Sequence, residues 1–128
     1  MSNTRTVGKA GETAAARYLR RHLYRIVARN YKSHPYELDI VAETPRMRIF
    51  VEVKTRCATP DKNDRFGPPS AAVDHHKRMF ITRAARVYQA THPTRKRVRF
   101  DVIEVYLSPL DKKKILAVRH MKDAFLAY

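Results

Sequence analysis

Asp39, Glu52 and Lys54 are the residues of this sequence whose types and spacing suit chemistry on a phosphate. Glu52 and Lys54 lie two apart in Ile49-Phe50-Val51-Glu52-Val53-Lys54-Thr55, a run that reads as a strand. Side chains alternate faces along a strand, so Glu52 and Lys54 share one side. Ile49, Val51 and Val53 then point to the other side, into a core. Asp39 belongs to a neighbouring strand-like run, Tyr36 to Ala42, and its carboxylate can converge on Glu52 if the two strands pair. Phosphodiester cleavage needs a nucleophilic water and an electrophilic phosphate, and a bound Mg²⁺ serves both needs. Mg²⁺ takes oxygen ligands, commonly one or two carboxylates with phosphate and water, and Mn²⁺ suits the same donors. Asp39 and Glu52 are of that type, and the Val53 carbonyl offers a third oxygen. Lys54 would orient the attacking water or offset charge developing on the phosphate. Glu12 would reach the same place from the first helix, and Glu37, two residues before Asp39, would support it.

Each of these residues also has an ordinary reading. A Glu-x-Lys on a strand is usually an exposed ion pair worth little. Asp39 suits a solvent-facing edge, and Glu12 suits a first-turn acid interacting with the helix dipole. The combination points to catalysis: three acids and a lysine on one helix and two adjacent strands of a strongly basic chain. No other chemistry competes for the site. The adjacent His75 and His76 cannot share a helix face, Ser70 reads as a helix cap, and three glycines build no phosphate-cradling loop.

The chain has 128 residues, which suits one domain spanning 1–128, and it is 44% hydrophobic. Against 27 Lys and Arg stand only 12 Asp and Glu, a net charge of +15. Such a field favours polyanionic partners, nucleic acid or an anionic membrane surface. Arg17, Arg20, Arg56, Lys77 and Arg78 are the cations expected to hold phosphates, and further basic clusters occur at 95–99 and 112–114. No apolar run approaches the ~18 residues of a membrane span. The polar N-terminus and the single cysteine, Cys57, lead to an expectation of a reducing, cytoplasmic location.

The elements that must position these residues can be read in outline. Apolar spacing at Ala15, Tyr18, Leu19 and His22 or Leu23 predicts a helix over about 7–23. Strands are predicted over about 24–31, with Tyr24, Ile26 and Ala28 on one face, and over 36–42, with Leu38, Ile40 and Ala42 on one face. Glu37, Asp39 and Val41 take the other face of that second strand. Turns at Lys32-Ser33-His34-Pro35 and Thr44-Pro45-Arg46 join these and a third strand, 47–55, into an antiparallel meander. A breaker-rich loop covers 56–69. A helix capped by Ser70 follows over 71–91, its inner face marked by Val73, Phe80, Ala84, Val87 and Tyr88. Strands over 97–107 and 115–119 and a terminal helical turn from Met121 complete the order α-β-β-β-α-β-β. This is an α/β sandwich with a mixed central sheet.

Read in order, the motifs resemble a known family. Gly11-Glu12-x-x-Ala15 with Tyr18-Leu19, Arg29-Asn30-Tyr31, Glu37-Leu38-Asp39-Ile40-Val41-Ala42 and Phe50-Val51-Glu52-Val53-Lys54-Thr55-Arg56 look like the YraN family of uncharacterised bacterial proteins. Phe66-Gly67-x-Pro69 with Ala72-Val73, Lys77, Arg99-Phe100-Asp101-Val102-Ile103 and Ala124-Phe125 extend the likeness through nearly the whole chain. The resemblance implies a restriction-endonuclease-like three-layer fold, similar to archaeal Holliday junction resolvases. It implies a Mg²⁺- or Mn²⁺-dependent nuclease acting on DNA, branched DNA included, with Glu12, Asp39, Glu52 and Lys54 at the site and Glu37 nearby. Symmetric cutting of a four-way junction would favour a homodimer. The alternatives are a non-catalytic nucleic-acid-binding protein of the same fold and an interaction protein for an anionic partner. Two departures stand out: Tyr36 occupies a place where the family usually has glycine, and the segment Cys57 to Asp64 is longer than usual. Tyr36 is expected to narrow or reshape the approach to Asp39.

Overall fold

The structure, a computed structural model, describes residues 4–60 and 74–126. Helix α1 (Thr4–Arg21) leads into strands β1 (Arg25–Ser33), β2 (Tyr36–Glu43) and β3 (Met47–Cys57). Helix α2 (His75–Thr91) precedes β4 (Arg97–Leu107) and β5 (Ile115–Met121). The five strands form one sheet in chain order, β1-β2-β3-β4-β5. All neighbouring pairs are antiparallel except β3 and β4, which run parallel. Parallel strands need a crossover, and α2 lies within it. The α/β class, the antiparallel meander and the mixed sheet flanked by helices therefore stand as the sequence predicts.

One helix covers each face. Ala14, Ala15, Ala16 and Leu19 of α1 pack on Ile40, Ile49, Val51 and Ile103. Ile81, Ala84, Ala85 and Tyr88 of α2 pack on Leu38, Val41, Phe50 and Phe100. The alanines let each helix lie close to the sheet, and every large apolar side chain so buried contributes about 1.5–3 kcal/mol. With both faces covered, the central strand β3 is buried without alternation from Arg48 to Glu52. Ile49, Val51 and Val53 face α1 as predicted. The face carrying Glu52 is not open to solvent, however, because Phe50 beside it is core.

Several predicted details shift. Helix α1 ends at Arg21, so Leu23, with a φ of 68° and 87% exposed, takes no part in its buried stripe. A register shift between Ile26 and Ala28 sends Ile26 to the α1 core and Ala28 to the α2 core, which splits their predicted common face. Strand β1 continues to Ser33, leaving His34 and Pro35 as the turn. Helix α2 begins at His75, and its cap is Asp74, whose side chain accepts the Lys77 N–H at 2.8 Å. The predicted cap Ser70, Val73 and most of the long loop lie outside the described residues. Phe80 and Val87 are exposed, while Ile81, Thr82 and Ala85 join Ala84 and Tyr88 inside. Smaller side chains thus face the sheet, which permits close packing. From Met121 to Leu126 the chain is not helical: Ala124 N–H donates to the Phe100 carbonyl, and Phe125 stacks on Phe100 at 5.2 Å.

Candidate active site

The site forms where β2 and β3 part. Their ladder runs through Glu43 with Arg48, Ala42 with Ile49 and Val41 with Phe50 to Ile40 with Val51. The next pair in register would be Asp39 and Glu52. There the side chain of Asp39 replaces a backbone acceptor, taking the Val53 N–H on Oδ2 at 2.8 Å. In extended backbone the N–H and C=O of one residue point the same way, so the Val53 carbonyl also faces β2. Facing alternation breaks at the same place. Leu38 enters the α2 core, whereas Ile40 and Ala42 enter the α1 core. The predicted common face of Leu38, Ile40 and Ala42 is therefore interrupted at Asp39. On β1 the pairs flanking this point, Arg29 with Ile40 and Tyr31 with Leu38, set Asn30 opposite Asp39, and Asn30 has a φ of 51°. Asparagine is among the few residues that tolerate this left-handed conformation. A paired irregularity in two strands thus frees Asp39 to reach across to β3.

Glu52 is buried on the α2 side, and Lys77 of α2 approaches it, Nζ to Oε2 at 3.3 Å. Burial raises the Glu52 pKa, and the hydrogen bond and charge of Asp39 raise it further; Lys77 opposes them, and the result is about 9. Burial and the neighbouring Asp39 together thus favour the protonated form of the Glu52 carboxyl. Burial alone would lower the Lys77 pKa, but the charge of Glu52 outweighs it and holds the ammonium above its ordinary value. Asp39 and Glu37 act in the same direction.

Glu12 projects from α1 toward the same region. Gly11 sets its approach, since a Cβ there would lie 1.9 Å from Thr55 Oγ1 on β3. Only a residue without a side chain lets the helix rest on Thr55. Burial raises the Glu12 pKa, followed by the charge of Asp39, while Arg29 and Asn30 oppose the rise. Arg29 Nε lies 3.7 Å from Glu12 Oε1, and both atoms are buried without a hydrogen-bond partner. Among the described residues no group of three or more His, Cys, Asp or Glu side chains is gathered as a cation site. Glu12 therefore stands beside the Asp39–Glu52 pair, matched to Arg29, and is not drawn into one ligand set with them.

The remaining sequence candidates are dispersed around this centre. Lys54 follows Glu52 on the strand and is exposed. Glu37 is exposed and lines a cleft of about 450 Å³ with Glu12, Asn30, Lys32 and Lys9. Tyr36 turns to α2: its hydroxyl accepts from Arg83 Nη1 at 2.9 Å, and its ring lies 5.4 Å from that of Phe80. Its bulk is thus seated against Phe80 and Arg83 of the helix. Among the expected phosphate-binding cations, Arg17 lines a groove with Lys9, Lys112 and Lys113, and Arg20 is exposed on α1. Arg56 is engaged, donating from Nε to the buried Glu104 at 2.7 Å, and Arg78 lies over the ring of Phe125. Lys77 is committed to Glu52. Sequence reasoning missed Arg29 as the partner of Glu12 and Asn30 as the left-handed residue opposite Asp39. It named Gly11 only as part of a motif, although a glycine inside a helix signals close approach.

Residues 11–105 match the profile of the Uncharacterised protein family UPF0102. The chain is similar to the UPF0102 protein TTE1452 of Caldanaerobacter subterraneus subsp. tengcongensis, 42% identical over 96% of this chain and 97% of that one. A UPF0102 protein of Bacteroides thetaiotaomicron is 38% identical over 98% of this chain and 96% of its own. The UPF0102 protein Cpha266_0037 of Chlorobium phaeobacteroides is 40% identical over 98% of both chains. Helix α1 from Gly11, the meander with Asp39 and Glu52, and the crossover to β4 all fall inside the matched region, and the chain belongs to the uncharacterised protein family UPF0102.

Proposed function

We propose that the protein is a metal-dependent nuclease hydrolysing phosphodiester bonds in DNA, branched DNA included. The observation that carries this reading is the Asp39–Glu52 pair, two carboxyls forced together at the split between β2 and β3. Their mutual repulsion is relieved either by a proton on Glu52 or by a divalent cation. The donor set fits Mg²⁺ or Mn²⁺, for which two carboxylates with a carbonyl, water and phosphate suffice. Asp39 and Glu52 would hold the ion, with the Val53 carbonyl facing the same gap. When bound, such an ion polarises a phosphate and lowers the pKa of water. The chain's own groups do the rest. Lys54 stands on the strand beyond Glu52, suited to orient a water or to offset charge on the phosphate. Glu12, its proton affinity raised, is suited to accept a proton at the cleft. The resemblance to the restriction-endonuclease-like superfamily and to Holliday junction resolvases supports the same chemistry. The net charge of +15 supports a nucleic-acid substrate.

A second reading is favoured by Lys77. Its ammonium, 3.3 Å from Glu52, already supplies a cation to the pair. A protein that keeps this ion pair would bind nucleic acid without cutting it. Cleavage of labelled linear, branched and single-stranded DNA in Mg²⁺ or Mn²⁺ separates the two. Cleavage by the wild type that falls at least about a hundredfold in Asp39→Ala and Glu52→Ala is expected, the scale of losing one charge-stabilising group. No metal-dependent cleavage on any substrate, or equal cleavage by the variants, would refute the nuclease and leave the binding protein.

A further inference from the structure

Away from the acids, at the β2–β3 turn, lies a cavity of about 570 Å³ lined by Pro45, Arg46, Met47, Arg95, Lys96 and Arg97. Its charge is unbalanced. Glu43 is the one carboxylate engaged there among the described residues, and three cations already contact it: Arg25 at 3.1 Å, Arg48 at 2.8 Å and Lys96 at 3.0 Å. Arg46, Arg95 and Arg97 are exposed and have no carboxylate partner among the described residues. Like charges gathered in this way repel, and salt or a bound anion relieves that repulsion.

The backbone that carries the arginines is also held in place. Thr44 Oγ1 accepts the Met47 N–H at 3.1 Å and Thr44 N–H donates to the Met47 carbonyl at 2.9 Å, closing the turn that carries Arg46. Arg97 N–H donates to the Arg46 carbonyl at 3.2 Å, tying the two segments together. Lys96 N–H donates to Thr94 Oγ1 at 3.1 Å, fixing the approach to β4. Guanidinium forks on a fixed backbone suit the planar, bidentate recognition of phosphate. Asp39 lies four residues before the end of β2 at Glu43, about 13 Å at ~3.3 Å per residue, and the turn carrying Pro45 and Arg46 lies beyond that end. One phosphate cannot touch both places.

We infer that the Arg46–Arg95–Arg97 cavity is a second phosphate-binding site, remote from the carboxylates, that anchors the backbone of a nucleic acid. The inference deepens the nucleic-acid reading above and rests only on its polyanion part, not on cutting. A span of more than about 13 Å corresponds to at least roughly four steps of a strand at ~3.4 Å each. A substrate engaging both places is therefore an oligonucleotide rather than a mononucleotide.

The test is fluorescence anisotropy with a labelled duplex of about two helical turns, titrated over a series of salt concentrations in EDTA so that nothing is cut. Each phosphate contact contributes about 0.9 to the slope of log affinity against log salt. The triple variant Arg46→Ala/Arg95→Ala/Arg97→Ala is expected to flatten that slope by about two to three and to weaken binding by at least ~10-fold at ~0.1 M salt. The control Lys122→Ala, an exposed cation elsewhere, should lose less than one unit of slope. Arg46→Lys/Arg97→Lys, which keeps the charge, should retain most of the slope and shows that the triple variant's loss is not a folding defect. A slope unchanged in the triple variant, or a loss no larger than that of Lys122→Ala, would overturn the site. Because Asp39-dependent cleavage is measured separately, an unchanged slope with normal cutting removes this cavity alone. A flattened slope without cutting keeps the cavity and removes the nuclease.

Discussion

Glu52→Gln is a direct probe of the carboxyl pair. In the folded protein the Glu52 carboxyl is pushed from an ordinary 4.5 up to about 9. A raised carboxyl pKa means that the native state holds a proton the unfolded chain has released. Stability from this group is therefore fully present below pH 4.5 and is lost progressively as pH rises toward 9. At pH 7 the unfolded group lies about 2.5 units above its midpoint, and at ~1.4 kcal/mol per unit the cost is about 3 kcal/mol. Glutamine has the shape and neutrality of the protonated acid and donates to Asp39 through its amide. In EDTA, Glu52→Gln should match the wild type at pH 5 and exceed it by about 3 kcal/mol at pH 7 and about 4 kcal/mol at pH 8. The assay is urea denaturation of both proteins across this range, reading the difference so that the many other titrations cancel. Adding Mg²⁺ should stabilise the wild type and not the variant. A pH-independent difference, or a variant less stable than wild type at pH 8, would refute the raised proton affinity of Glu52.

Two further outcomes follow from packing. Gly11→Ala would set a methyl 1.9 Å from Thr55 Oγ1 and 2.8 Å from Thr55 Cβ and Cγ2; overpacking of ~1–3 kcal/mol should outweigh the ~1 kcal/mol gain in helix propensity. Thermal unfolding should show a Tm several degrees lower, and an unchanged or higher Tm would contradict the close approach. Asp101, fully buried, accepts from Arg99 at 2.8 Å, from His120 at 2.7 Å and from the Asp123 N–H at 3.0 Å. Asp101→Ala should cost about 3–5 kcal/mol in urea denaturation by stranding these partners, and a loss under about 1 kcal/mol would show the network to be dispensable. Burial pushes the Asp101 pKa up, but His120 and Arg99 outweigh it and hold it below 3.8, so this contribution is lost only as pH falls below that value.

Periodicity carried the element order because the signals are local. Alternation marks the first half of β4, from Arg97 to Val102, and the alanine-rich stripe marks α1. The faces were less legible where backbone geometry breaks the alternation. Ala28 changed sides at a bulge, and Leu38 changed sides at the Asp39 kink, and no side-chain pattern encodes either event. The acid pair was legible because Asp39 and Glu52 lie on strands joined by a short turn. Lys77 as its counter-charge was not, since that contact depends on how α2 docks. The Asp101 network was hidden for the same reason: Tyr18, Tyr24, Arg99 and His120 come from four elements, counting the approach to β1.

Because the sheet is ordered as the chain is, every strand pairs with one of its immediate sequence neighbours. Loop closure is then inexpensive at each step but one, the β3-to-β4 crossover. The Asp39–Val53 clamp spans 14 residues and belongs to the local meander, whereas Lys77 reaches Glu52 only once that crossover closes. During folding the two acids should meet before their counter-ion arrives, so a divalent cation present at that moment meets the pair without competition from the lysine.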